Sequence, residues 1–171
     1  VFAAAAEAGI AQVEQTVVLG DGAHWIRSIA EMYLPEAEHR LDLWHLLRRA
    51  DEAIRAEDLD DETAVQLHRD VPAALRRGAV AEAEHLVQTH LSGVVGEAFG
   101  TYLSNQRDWI VDADTLQANG EVVGSGAVEK AVDIVLNRRF KGRRGMRWWR
   151  PNADAITVLQ TRILNNESLA A

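Results

Sequence analysis

A mostly helical α/β fold is predicted by three observations. TVVLGDGAHW places a short, β-branched, continuously apolar run at 16–19, ended by Gly20, the pattern of a strand covered on both faces. AEHRLDLWH reads as a second short strand, with Leu41 and Leu43 on one face and Asp42 on the other. Between them Trp25, Ile26, Ile29, Ala30 and Tyr33 recur at helical spacing over 23–34, until Pro35 ends the run. Strand, helix and strand in that order favour parallel pairing.

The remaining elements follow from period and punctuation. Residues 2–14 are Ala-rich without Pro and predict a leading helix. From Trp44 to about Leu116 only helical patterns occur, with breaks expected at EDLDDE (57–62), around Val71-Pro72, near Gly78, and at Gly93 and Gly96. LQANGEVVGSG is a turn-rich connection into a further helix carrying Glu129. There Val128, Ala131, Val132, Val135 and Leu136 form an apolar stripe. Glu129 lies about 90° from its centre, at the border of the expected buried face. A last helix over 153–164 follows Pro151 and the N-cap residue Asn152. The organisation predicted is an α/β part at 1–45, an all-helical insertion at 46–118, and a third part at 119–171.

The totals narrow the function classes. A chain of 171 residues can bury a real core, and 47% hydrophobic residues exclude a disordered one. The absence of cysteine excludes disulfides and thiolate metal sites, and fits a cytosolic protein. No apolar run approaches the ~20 residues of a membrane helix, and VFAAAAEAG lacks the basic segment of a signal peptide. The opening Val in place of Met predicts a piece of a longer chain. Charge is divided sharply. Residues 1–136 hold 10 basic and 24 acidic side chains, whereas 137–171 hold 8 and 2. A polyanion-binding segment on an acidic body is the expectation.

Three carboxylates and one basic run carry the candidate chemistry. Asp21 stands between two glycines at the carboxyl end of the first strand, where open α/β sheets bind ligands. The plainer alternative is a helix cap or a DG turn. Asp42 and His45 form a D-x-x-H segment, and parallel neighbours would bring Asp42 to the same sheet edge as Asp21. Their plainer alternatives are an ordinary polar residue and a helix-start or satisfied core histidine. Glu129 is either a solvated helix-surface acid or a second ligand for a hard cation such as Mg²⁺. Arg138, Arg139, Lys141, Arg143, Arg144, Arg147 and Arg150 are interleaved with Phe140, Trp148 and Trp149. Guanidinium groups neutralise phosphates and exposed rings stack on unpaired bases, so this run predicts nucleic-acid contact.

The segments VVLGDGAHWI, LDLWH and GEVVGSGAVEKAVDIVLNRRFKGRRGMRWW, in this order, resemble the catalytic region of bacterial insertion-sequence transposases of the DDE type. The similarity is to the Mutator-related group with the ISKra and ISLre elements, and TYLSNQRDWI shares in it. The resemblance implies a ribonuclease H-like core interrupted by an all-helical insertion, with its first three strands and first aspartate missing here. It implies that Asp21 and Glu129 are the second and third acids of a triad holding Mg²⁺ or Mn²⁺. Asp42 and His45 match the group's C/D-x-x-H motif beside that site. The implied chemistry is metal-dependent strand cleavage and strand transfer at transposon ends, by a homo-oligomeric, nucleoid-associated bacterial enzyme. Lacking the first aspartate, this chain is expected to be inactive alone. The alternative is a non-catalytic DNA-binding or regulatory remnant.

Overall fold

Val17, Val18 and Leu19 form the first strand, β1 (Val17–Gly20), and Glu38–Leu41 form the second, β2. They pair in parallel, with Val17 opposite Glu38 and Gly20 opposite Leu41. Helix α1 (His24–Tyr33) makes the crossover between them. This is a computed structural model; it describes residues 6–7, 9–141 and 147–166, the Arg139 side chain excepted. Among the described residues the chain is mostly helical, with one small parallel sheet.

The 46–118 stretch is helical as the periodicity predicts. Helices α2 (Leu43–Arg55), α3 (Asp61–Arg76), α4 (Val80–His90) and α5 (Val94–Gln106) follow one another, and a 3₁₀ turn (Arg107–Trp109) leads to α6 (Ala113–Ala118). Asp42, Asp60 and Asp112 cap α2, α3 and α6 by accepting the backbone N–H groups of His45, Thr63 and Thr115. Each satisfies one donor that a helix start leaves unpaired. The core gathers Leu46, Ala50 and Ile54 of α2 with Leu67, Val71 and Leu75 of α3, Val87 of α4, and Phe99 and Leu103 of α5. Leu41 of β2 and Trp109 join the same cluster, so sheet edge and helices share one core.

The chain divides into two compact units, Val1–Ser125 and Gly126–Ala171. The second holds α7 (Gly126–Val132), which widens into a π-helix over Asp133–Lys141, and α8 (Arg150–Leu164). The ion pair from Arg138 to Asp133, 2.8 Å at a spacing of five, suits that wider turn.

Several local expectations need correction. The leading helix is not continuous, because the chain turns at Gly9 (φ 81°) and only a 3₁₀ turn, Ile10–Gln12, follows. The second strand stops at Leu41, since Asp42 turns its side chain to cap α2 and Leu43 is already helical. Pro72 does not break α3. Val71, Ala74 and Leu75 around it are fully buried. Their burial outweighs the roughly 3 kcal/mol cost of an internal proline. Gly96 lies inside α5, where a Cβ would come within 2.5 Å of the Leu91 Cβ; it serves close packing rather than termination. β1 is only half-buried, because it has one strand neighbour among the described residues. The α1 stripe buries Ala30 alone and leaves Trp25 64% exposed. Val128, Val132 and Leu136 are also exposed within their own unit.

Candidate functional site

The parallel register brings two acids to one edge. Asp21 follows Gly20 of β1 and Asp42 follows Leu41 of β2, and the Asp42 N–H continues the ladder by donating to the Gly20 carbonyl at 2.7 Å. Both therefore leave the carboxyl ends of paired strands, the position at which α/β sheets place ligands.

Asp21 sits in a tight turn supported from a distance. Its Oδ1 accepts the Ala23 N–H at 3.0 Å, the DG-turn role of the plainer reading. Gly22 has φ 88°. Two residues of α5 clamp this turn: the Tyr102 hydroxyl donates to the Asp21 carbonyl and the Gln106 Nε2 donates to the Gly22 carbonyl, each at 3.1 Å. Trp109 completes the support, its ring edge-on to His39 of β2 with centroids 4.7 Å apart. Burial pushes the Tyr102 phenol up to about 12, helped by the charges of Asp21 and Asp42 and opposed by Arg49. Tyr102 is thus a neutral donor to the Asp21 carbonyl at any physiological pH. Tyr102→Phe is expected to lose about 1 kcal/mol, the net worth of one part-buried hydrogen bond. Urea unfolding checks this, and an unchanged midpoint would remove Tyr102 from the clamp.

Asp42 is 1% exposed. Its Oδ1 accepts the His45 N–H at 2.9 Å and meets the His45 Nδ1 at 2.8 Å. Its Oδ2 accepts the Ser125 N–H, and the Ser125 side chain bonds the same carboxylate. Desolvation pulls the Asp42 pKa upward, but these bonds outweigh it and hold the group below the ordinary carboxylate range. The carboxylate is therefore ionised and can only accept, so Nδ1 of His45 carries the hydrogen of that bond.

A second tie lies beside it. Arg40 of β2 is 2% exposed, and its guanidinium bonds Glu38, Glu121 and the Val122 carbonyl. The Leu43 N–H donates to Val123 at 3.1 Å. Arg40, Leu43 and Asp42 together fasten residues 121–125, the segment leading to α7, along β2.

As metal ligands the acids differ. Asp42 does not fit, because its two oxygens are already committed to N–H and side-chain donors. Asp21 fits a hard cation in donor chemistry, as a part-exposed carboxylate with one oxygen in the Ala23 bond. Glu129, also a hard donor, is exposed on α7 in the second unit. No group of three or more His, Asp or Glu poised for a metal occurs among the described residues.

In the second unit Arg138, Lys141, Arg147 and Arg150 are exposed. Trp148 packs edge-on against Phe140 with centroids 5.1 Å apart, whereas Trp149 is 72% exposed. Arg143, Arg144 and the Arg139 side chain lie outside the described residues. This unit holds nine Lys and Arg against four Asp and Glu, a net charge of +5.

The support from Tyr102, Gln106 and Trp109 was not read from the sequence. The signal was present as an i, i+4, i+7 spacing of hydrogen-bonding and aromatic residues within TYLSNQRDWI. No described helix is long and apolar enough to cross a membrane. No family model, curated protein or solved structure matches the chain.

Proposed function

We propose that this chain is a DNA-handling piece of a DDE-type transposase catalytic domain, with a ribonuclease H-like core of the Mutator-related kind. The observation that carries the reading is the parallel β1–α1–β2 unit with Asp21 and Asp42 leaving one edge of it. The exposed arginines and Trp149 of the +5 unit support the DNA contact. In this reading Asp21 and Glu129 would each offer a carboxylate to Mg²⁺ or Mn²⁺, and the bound ion would supply activation of water or a 3′-hydroxyl toward a phosphodiester. Asp42 and His45 hold the sheet edge and the 121–125 segment in place, and the basic segment neutralises phosphates that the acidic body would repel. The resemblance matches Asp21 and Glu129 to the second and third acids of the triad and matches no residue here to the first. The expected activity of the chain alone is therefore DNA binding without cleavage, which is also what a regulatory remnant would do.

The test is a salt titration of duplex affinity. Binding should weaken steeply with salt, and replacing Arg147 and Arg150 by Gln should lower the slope by about 1 for each phosphate that the two arginines neutralise. Affinity that is indifferent to salt, or to both substitutions, would sink the reading. Mg²⁺-dependent nicking by the chain itself would overturn the claim that it is inactive alone.

A further inference from the structure

We propose that the first turns of α2 form a second nucleic-acid contact, a platform on Trp44 for an unpaired base. The proposal rests on the reading of the chain as a DNA-handling protein, but its residues lie wholly within the first unit. Trp44 is 56% exposed. Its ring is nonetheless oriented: the Arg48 guanidinium stands 5.1 Å from its centroid, and the His45 ring meets it edge-on at 4.9 Å and 90°. His45 is itself fixed through Nδ1 on buried Asp42. The indole is therefore held in one pose although more than half of it faces solvent. An ordered, exposed aromatic ring is the element that base stacking requires.

The surroundings select the occupant. Arg48 and Arg49 are exposed one turn along the helix, and Arg49 lies 4.6 Å over the Tyr102 ring. A guanidinium beside an open indole, with a second exposed arginine next to it in the chain, suits a phosphate–base repeat better than an apolar peptide. Arg48 also meets Glu52 at 3.2 Å, with both side chains about half exposed. A pair so exposed contributes little and can exchange for a phosphate. A duplex hides its base faces within the stack, so the platform serves single strands. Trp44 also lies two residues beyond Asp42, at the end of α2 nearest the carboxyl end of β2.

The experiment compares a fluorescein-labelled oligothymidine strand with a mixed-sequence duplex, by anisotropy at low salt. Wild type should bind both. Trp44→Ala should lose roughly tenfold in single-strand affinity and leave duplex affinity unchanged. Trp44→Phe, which keeps a stacking face, should recover most of the loss, and the arginine changes in the second unit should weaken both ligands. If wild type binds both and Trp44→Ala leaves their ratio unchanged, the platform is overturned and the proposed function stands. If wild type binds neither, the proposed function fails and the platform with it. A thermal melt of each variant identifies unfolding, and Trp44→Phe at wild-type stability without recovery would also overturn the platform.

Discussion

Asp42→Ala is expected to remove about 3 kcal/mol of folding stability, because it strips the partner from several buried donors at once. The His45 N–H, the His45 Nδ1, the Ser125 N–H and the Ser125 side chain all meet this carboxylate. Water cannot replace it easily, since the side chain is 1% exposed. The substitution also uncaps α2, a loss of ~1 kcal/mol by itself. Asp42→Asn should cost less but still substantially, because its amide NH₂ would face an N–H donor. The pH dependence has a definite sign. The folded carboxyl lies below its ordinary value, so its contribution is complete above the unfolded pKa of ~3.9 and is lost as pH falls through the folded one. Wild type and Asp42→Asn should therefore differ most at neutral pH and converge in acid. Urea unfolding at several pH values measures this. A gap that stays constant into acid would mean the ionised carboxylate is not the source.

How far the sequence reveals this site depends on the range of each interaction. β1, the DG turn and the helix before Pro35 were legible because each is written in adjacent residues. Asp42 was partly legible: its position at the sheet edge followed from parallel pairing of the two strands, but its role as the cap of α2 was not read, the alternative there being an ordinary polar residue. Pro72 misled because its local penalty is real, while the burial of Val71, Ala74 and Leu75 that overrides it comes from other helices. The stripe on α7 shows the limit of periodicity. It identifies an apolar face at Val128 and Val132 without saying what covers it, and in its own unit that face is exposed. The clamp on Asp21 was hidden most deeply, since Tyr102 and Gln106 reach back more than eighty residues to a backbone carbonyl. A backbone acceptor has no side-chain identity, so no residue type at 21 or 22 announces who will bond it.

That clamp makes Gly22→Ala the second large effect, expected at about 3 kcal/mol from two separable causes. The first is conformational. Gly22 holds φ 88°, a region that costs an L-residue roughly 1–2 kcal/mol. The second is steric: a Cβ there would lie 2.8 Å from Tyr102 Cε2 and 3.0 Å from its hydroxyl. Tyr102 cannot yield freely, because it is held by the Asp21 carbonyl and stacked under Arg49. A double-mutant cycle separates the two causes. In a Tyr102→Ala background the collision is gone, so the remaining cost of Gly22→Ala should fall to the conformational part alone. If the cost is the same in both backgrounds, Tyr102 does not confine the turn. The functional consequence can be separated in the same proteins. The basic segment belongs to the other compact unit, so duplex affinity and its salt slope should survive Gly22→Ala in protein that remains folded. Any property that depends on where Asp21 stands, such as Mn²⁺ binding followed by paramagnetic broadening of nearby resonances, should be lost. Loss of both together would mean that the turn supports the whole fold rather than the placement of Asp21.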